Sequence, residues 1–171
     1  MTKKLTSKEK QSEWLNQHLP HRLRAGLVGT ALLTNLAGTR VSKAAGKELH
    51  QRCFHNAAWE GRLASVRWLI EFIGVQWDSR QNKPKVPLRS GPFDVWIEDL
   101  DGGVRFDILS PEAVELAKIW KGCSQATAHP TDSSNHPDVS QPQLERAMEI
   151  IHRHLDATVF KAAGSELARH L

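Results

Sequence analysis

The 171-residue sequence holds only two cysteines, two methionines and no tyrosine. Cys53 and Cys123 supply neither a disulfide framework nor a zinc site of their own, so a reducing, cytoplasmic setting is the simplest reading. No apolar run reaches the ~18 residues that a membrane span needs. The first ten residues are charged with no apolar stretch behind them, which excludes a secretory signal there. Also missing are H-E-x-x-H, C-x-x-C, G-x-S-x-G, G-x-x-x-x-G-K-[ST] and G-x-G-x-x-G. The commonest metalloprotease, hydrolase, phosphate-loop and dinucleotide readings go with them. His152 and His154 stand two apart, on different faces of a helix, and His18 and His21 flank Pro20; none of these forms a ligand set. Neither a metal nor a cofactor is expected.

What is present is ordinary for a folded domain: 40% apolar and 25% charged residues, in a chain long enough for one buried core. Lys and Arg total 23 against 19 Asp and Glu, a formal charge of +4, which suits a nucleic-acid partner. Lys3, Lys4, Lys8 and Lys10, offset by Glu9, make a solvated basic tail the plainer source of that excess. Residues 1–10 are therefore read as a disordered tail and 11–171 as a single helical-bundle domain. The six tryptophans are read as core fillers that place each indole N–H on a partner.

Apolar spacing predicts mainly helix. A short helix over 12–19 should stop at Pro20, because the residue before a proline is pushed out of the α region. Pro20 should then open a second helix carrying Leu19, Leu23 and Leu27, in which Gly26 and Gly29 let a neighbour approach closely. Residues 41–74 contain no proline and are apolar most of the way round, which predicts a central buried helix capped by Gly74. Residues 76–92, rich in Asp, Asn, Pro and Gly, read as a long loop. Residues 93–109 alternate on both sides of Asp101-Gly102-Gly103 and favour a hairpin over a short helix ended by the glycines. Ser110-Pro111-Glu112 opens a further helix, and residues 129–138 form a polar linker. Ser140 to Pro142 open a last helix with the stripe Leu144, Met148, Ile151, Leu155, Val159 and Ala162, which Gly164 ends. The expected architecture is a mainly α bundle of four to five helices with a small β-hairpin insertion.

Two constellations stand out. Asn56, Glu60, Arg67 and Glu71 fall within an arc of about 60° at 100° per residue. Among apolar neighbours this stripe is either an interhelix ion-pair ladder, a solvent face, or a polar pocket in which Arg67 binds an anion such as phosphate, with Glu60 and Glu71 holding the guanidinium. The second runs from Lys121 to Thr131, where His129 caps a helix C-terminus or acts as an acid/base beside Ser124, Thr127 and Thr131.

The segments HLPHRL (18–23), HNAAWEGRLASVRWLIEFIG (55–74), PFDVWIEDL (92–100) and WKGCSQATAHPT (120–131) resemble, in order, parts of the HEPN-like helical proteins, in a branch often carried by mobile elements. The resemblance implies an up-down bundle of four or five helices, frequent homodimers and, in many members, metal-independent RNA cleavage by an R-x(4–6)-H motif. This chain departs from the motif. Gly122, Cys123 and Ser124 stand where the arginine before His129 should be, with Lys121 one residue too early. Phe72, Ile73 and Gly74 stand where Arg67 needs a histidine. Arg146 and His152 fit the spacing but point about 120° apart on one regular helix. The expectation is thus a non-catalytic dimeric module binding a nucleotide, RNA or a protein through Asn56, Glu60, Arg67, Glu71 and Lys121. The alternatives are a metal-independent endoribonuclease using His129, or a purely structural interaction module.

Overall fold

The computed structural model describes residues 8–26, 47–88, 95–128 and 139–164, and the side chains of all of these except 47–56 and 127–128. Among the described residues are four helices and a two-stranded sheet. Helix α1 begins as Lys8–Glu13, widens through a π-helical stretch Trp14–His18 and continues over 19–26. Pro20 therefore does not break the chain into two helices. Proline lacks the N–H for the ordinary bond and its ring crowds the carbonyl four residues back. The π turn gives the backbone room there: the Leu19 N–H reaches Trp14 O, five residues behind it. Leu19 and Leu23 are buried as their spacing predicts; Leu27 and Gly29 lie outside the described residues.

Helix α2, Lys47–Phe72, is the central element. Leu63, Val66, Leu69, Ile70 and Phe72 are all buried. It ends in the expected glycine cap: Gly74 has φ +94°, its N–H donates to Glu71 O at 3.0 Å, and the Val75 N–H donates to Ile70 O at 3.0 Å. These two bonds satisfy carbonyls that the helix end leaves open. A stack of rings ties α1 to α2. Trp14 lies 5.6 Å from both Trp68 and Phe72, which are 5.1 Å from each other, with near-parallel planes.

The hairpin is not where alternation placed it. Strands β1, Gln76–Asp78, and β2, Lys83–Lys85, pair antiparallel inside the segment read as a loop, with Trp77 opposite Pro84. The described part of 93–109, residues 95–109, does not form one: Ile97–Asp99 is a single 3-10 turn, nearer the short helix weighed against the hairpin. Asp99 holds that turn, its Oδ2 accepting the Trp96 N–H at 2.9 Å. Gly102, at φ +71°, then turns the chain where a Cβ would collide with Ala162 and press on Thr158 O. Beyond it the Phe106 N–H donates to Ile73 O at 2.9 Å, so this stretch straps the end of α2 instead of folding on itself.

Helix α3, Pro111–Ala128, starts as its signature predicts, with Ser110 Oγ accepting the Ala113 N–H at 3.2 Å. Helix α4, Gln141–Leu155, continues through a π-helical stretch Asp156–Phe160. The Ser140 N–H donates to Gln143 Oε1 at 2.8 Å, the reciprocal half of a capping box. Leu144, Met148, Ile151, Leu155 and Val159 are all buried, whereas Ala162 is exposed. One core joins them to α1, α2, Trp77, Ile97 and Leu116. Gly26 allows the close approach foreseen for it: a Cβ there would stand 2.7 Å from Met148 Sδ. Among the described residues no helix is long and apolar enough to cross a membrane.

Candidate functional site

The site lies where α2 meets α3, the helix on which the hairpin packs. Arg67 and Glu71 are one turn apart, so both point at the same place on α3. That place is Trp120. The Arg67 guanidinium carbon lies 5.6 Å from the centroid of the Trp120 ring, and the indole Nε1–H donates to Glu71 Oε2 at 3.4 Å. One residue on, Lys121 reaches Trp77 of β1, its Nζ 5.7 Å from that ring's centroid. Two cations from neighbouring helices are thus each laid on an indole, the arrangement in which a ring quadrupole holds a positive charge in place. Trp77 is 7% exposed, and its Nε1–H finds no acceptor among the described residues.

The stripe on α2 is not an ion-pair ladder as the spacing had allowed. Among the described residues, neither Glu60 nor Glu71 forms an ion pair with Arg67: Glu60 is exposed and Glu71 accepts from Trp120. The side chain of Asn56 and the whole of His129 lie outside the described residues. The structure therefore brings Arg67 and Glu71 together on Trp120, and it sets Lys121, the next residue of α3, on Trp77. Sequence reasoning treated the tryptophans as filler. The Trp120-Lys121 doublet was the available signal, because a cation one residue from a ring can only share it with another element.

Among the described side chains of α2 the buried arginine is Arg62, 4% exposed, not Arg67. Its Nε–H donates to Gly26 O at 2.9 Å, a bond from α2 to the backbone of α1. Burial lowers its pKa, and the charge of Glu145 works against that shift. Cys123, buried beside the site, has its thiol pushed up to about 12 by burial, against the opposing charge of Arg67. It is no nucleophile at neutral pH.

Several charged groups at the junction of α3 and α4 are committed to one another. Arg146 contacts Glu112, Glu149 and Glu115 at 3.1, 2.7 and 3.7 Å, and Arg153 contacts Glu112 at 2.6 Å. These pairs clamp the start of α3 to α4, and the hydrogen bond from Arg153 holds the Glu112 carboxyl below its ordinary pKa. Arg146 is thus taken up by carboxylates, while burial lowers the pKa of half-buried His152. His154 Nε2 lies 2.7 Å from Val104 O, so that nitrogen carries the proton and donates it. Burial lowers the pKa of this ring as well. No group of three or more metal-ligating side chains occurs among the described residues. Compared with protein-family models, curated proteins and solved structures, the chain matches none.

Proposed function

We propose that this chain is a non-catalytic helical binding module that takes a phosphate-bearing ligand, a nucleotide or RNA, on the face formed by Arg67, Trp120, Lys121 and Trp77. One observation carries the reading: Arg67 and Lys121 are each seated on an indole, and no ion pair among the described residues claims either charge. A cation fixed by a ring keeps its N–H groups directed outward and loses little freedom on binding an anion. Arg67 adds paired donors in a plane, which match two phosphate oxygens. Glu71, through Trp120 Nε1, sets the angle of the ring under the guanidinium.

Assembly as a homodimer and kinship with HEPN-like proteins belong to the same proposal, supported by the four-helix architecture and the quoted segments. The nuclease alternative gains no observation in its favour. The pair with the motif spacing, Arg146 and His152, has its arginine held by three carboxylates. The test is RNA and nucleotide affinity in Arg67→Lys and Arg67→Met. Lysine keeps the charge but loses the paired donors, so binding weakens; methionine keeps the stem and abolishes it. Equal affinity in all three proteins would refute the assignment.

A further inference from the structure

The hairpin next to this face has a composition the four helices do not share. Its tip, Ser79-Arg80-Gln81-Asn82, joins paired Asp78 and Lys83. Ser79, Arg80, Gln81, Asn82 and Lys83 are all exposed, with Lys85 half-buried behind them. Asp78 turns its carboxylate back into the loop, where Oδ1 accepts the Arg80 N–H at 2.8 Å and the Gln81 N–H at 3.2 Å. Those backbone bonds, more than the cations nearby, keep its pKa low. The carboxylate fixes the shape of the turn, and Asn82 closes it at φ +52°, a conformation that asparagine tolerates. Arg80 and Lys83 are left as outward cations with no ion-pair partner among the described residues. At the root, Trp77 packs into the core and Lys121 lies over it, so strand β1 joins the basic tip to Lys121 of the proposed face.

We propose that the β1–β2 hairpin is an RNA-contacting wing that lays its tip along the minor groove of helical RNA, with Arg80 and Lys83 on phosphates and Ser79, Gln81 and Asn82 toward ribose hydroxyls. This deepens the proposed function and rests on it. Three features select the partner. The tip carries no aromatic ring, and the nearest one, Trp77, is buried under Lys121, so no platform is offered for stacking unpaired bases. Short polar side chains between two cations suit a surface that shows 2′-hydroxyls between two phosphate rows. That surface is the wide, shallow minor groove of A-form RNA. The tip is a short, pinned turn, which keeps its shape when it meets a rigid helix.

The experiment measures fluorescence anisotropy with an RNA duplex of about 16 base pairs, its single strand, and the DNA duplex of the same sequence. The full chain is compared with Arg80→Gln/Lys83→Gln, with Arg67→Met, and with Lys8→Gln/Lys161→Gln, a change of equal charge at exposed positions away from the hairpin. The RNA duplex is expected to bind the full chain most tightly, the hairpin variant to lose about tenfold or more, and the Lys8/Lys161 control to lose much less. Unchanged circular dichroism in the hairpin variant shows that the loss is one of contacts. Three results would overturn the wing: full affinity in the hairpin variant, an equal loss in the charge control, or DNA bound as tightly as RNA. If Arg67→Met loses binding while the hairpin variant keeps it, the wing falls and the proposed function stands. Absence of any RNA binding by the full chain removes the wing and the RNA reading of the proposed function, and nucleotide affinity then decides the rest of that reading.

Discussion

Two of the arginines of helix α2, Arg62 and Arg67, meet opposite fates five residues apart. Arg62 turns toward α1, is almost wholly buried and gives its Nε–H to a backbone carbonyl. Arg67 turns toward α3, stays half-exposed and lies on a tryptophan. The first is a structural donor: its charge is a cost of burial that a hydrogen bond and the distant Glu145 offset. The second keeps its charge at the surface, where it is of use to a ligand. One helix thus separates a face that holds the fold from a face that presents cations, and the same residue type serves both.

That contrast is broken most forcefully from the apolar side. Phe72→Ala removes a buried ring that packs against both Trp14 and Trp68 and should cost about 3–5 kcal/mol in denaturant unfolding. Trp68→Ala should cost less, because that ring is only half-buried. A loss below about 1 kcal/mol in Phe72→Ala would show that α2 is not the centre of the core. Arg62→Met should come next, at about 1–3 kcal/mol, the cost of leaving Gly26 O without its donor. Nucleotide and RNA affinity should not change in it.

Acid sharpens the same contrast from α4. His152 and His154 both have pKa values lowered by burial. Above the ordinary histidine value both folded and unfolded chains hold neutral rings, so no stability is at stake. As pH falls below about 6.5 the unfolded chain takes up protons first, and the fold loses stability until the lowered folded values are passed. A melting curve followed from about pH 8 to about pH 5 should therefore decline in its lower half, and His152→Gln/His154→Gln should flatten that decline. A variant with the same decline as the parent would assign acid sensitivity to other groups. A smaller effect concerns Cys123. In a Cys53→Ser background the folded protein should resist a thiol reagent at neutral pH, since burial holds the thiol near 12. Rapid labelling would contradict the burial.

The helices were legible because their signals are local and repeated. The stripe from Leu144 to Val159, the Ser110 and Ser140 caps and the Gly74 terminus each follow from spacing or from a residue's own conformational preference. The hairpin was hidden because Lys83-Pro84-Lys85 lacks the alternation of a strand. Pro84 is tolerated there because a two-stranded sheet has only edges. The alternation over 93–109 misled for a complementary reason: Gly102 is placed by its contact with Ala162, a long-range constraint that no local pattern encodes. The π turn before Pro20 is a third case, since a helix can widen as well as break at a proline. Within the candidate site, Arg67 and Lys121 were legible as cations near apolar faces. Their supports were not, because the pairings of Arg67 with Trp120 and of Lys121 with Trp77 join residues far apart in the chain.

Arg62 and Arg67 of α2 do different work, and one paired measurement tests this: RNA affinity and melting temperature of Arg67→Met beside Arg62→Met. The account predicts a crossing. Arg67→Met should lose about tenfold or more in affinity, some 1.4 kcal/mol, and melt near the parent. Arg62→Met should bind as the parent does and melt lower, by about 2–4 °C for each kcal/mol lost. Parent-like binding by Arg67→Met, or a fall in melting temperature as large as that of Arg62→Met, would contradict it.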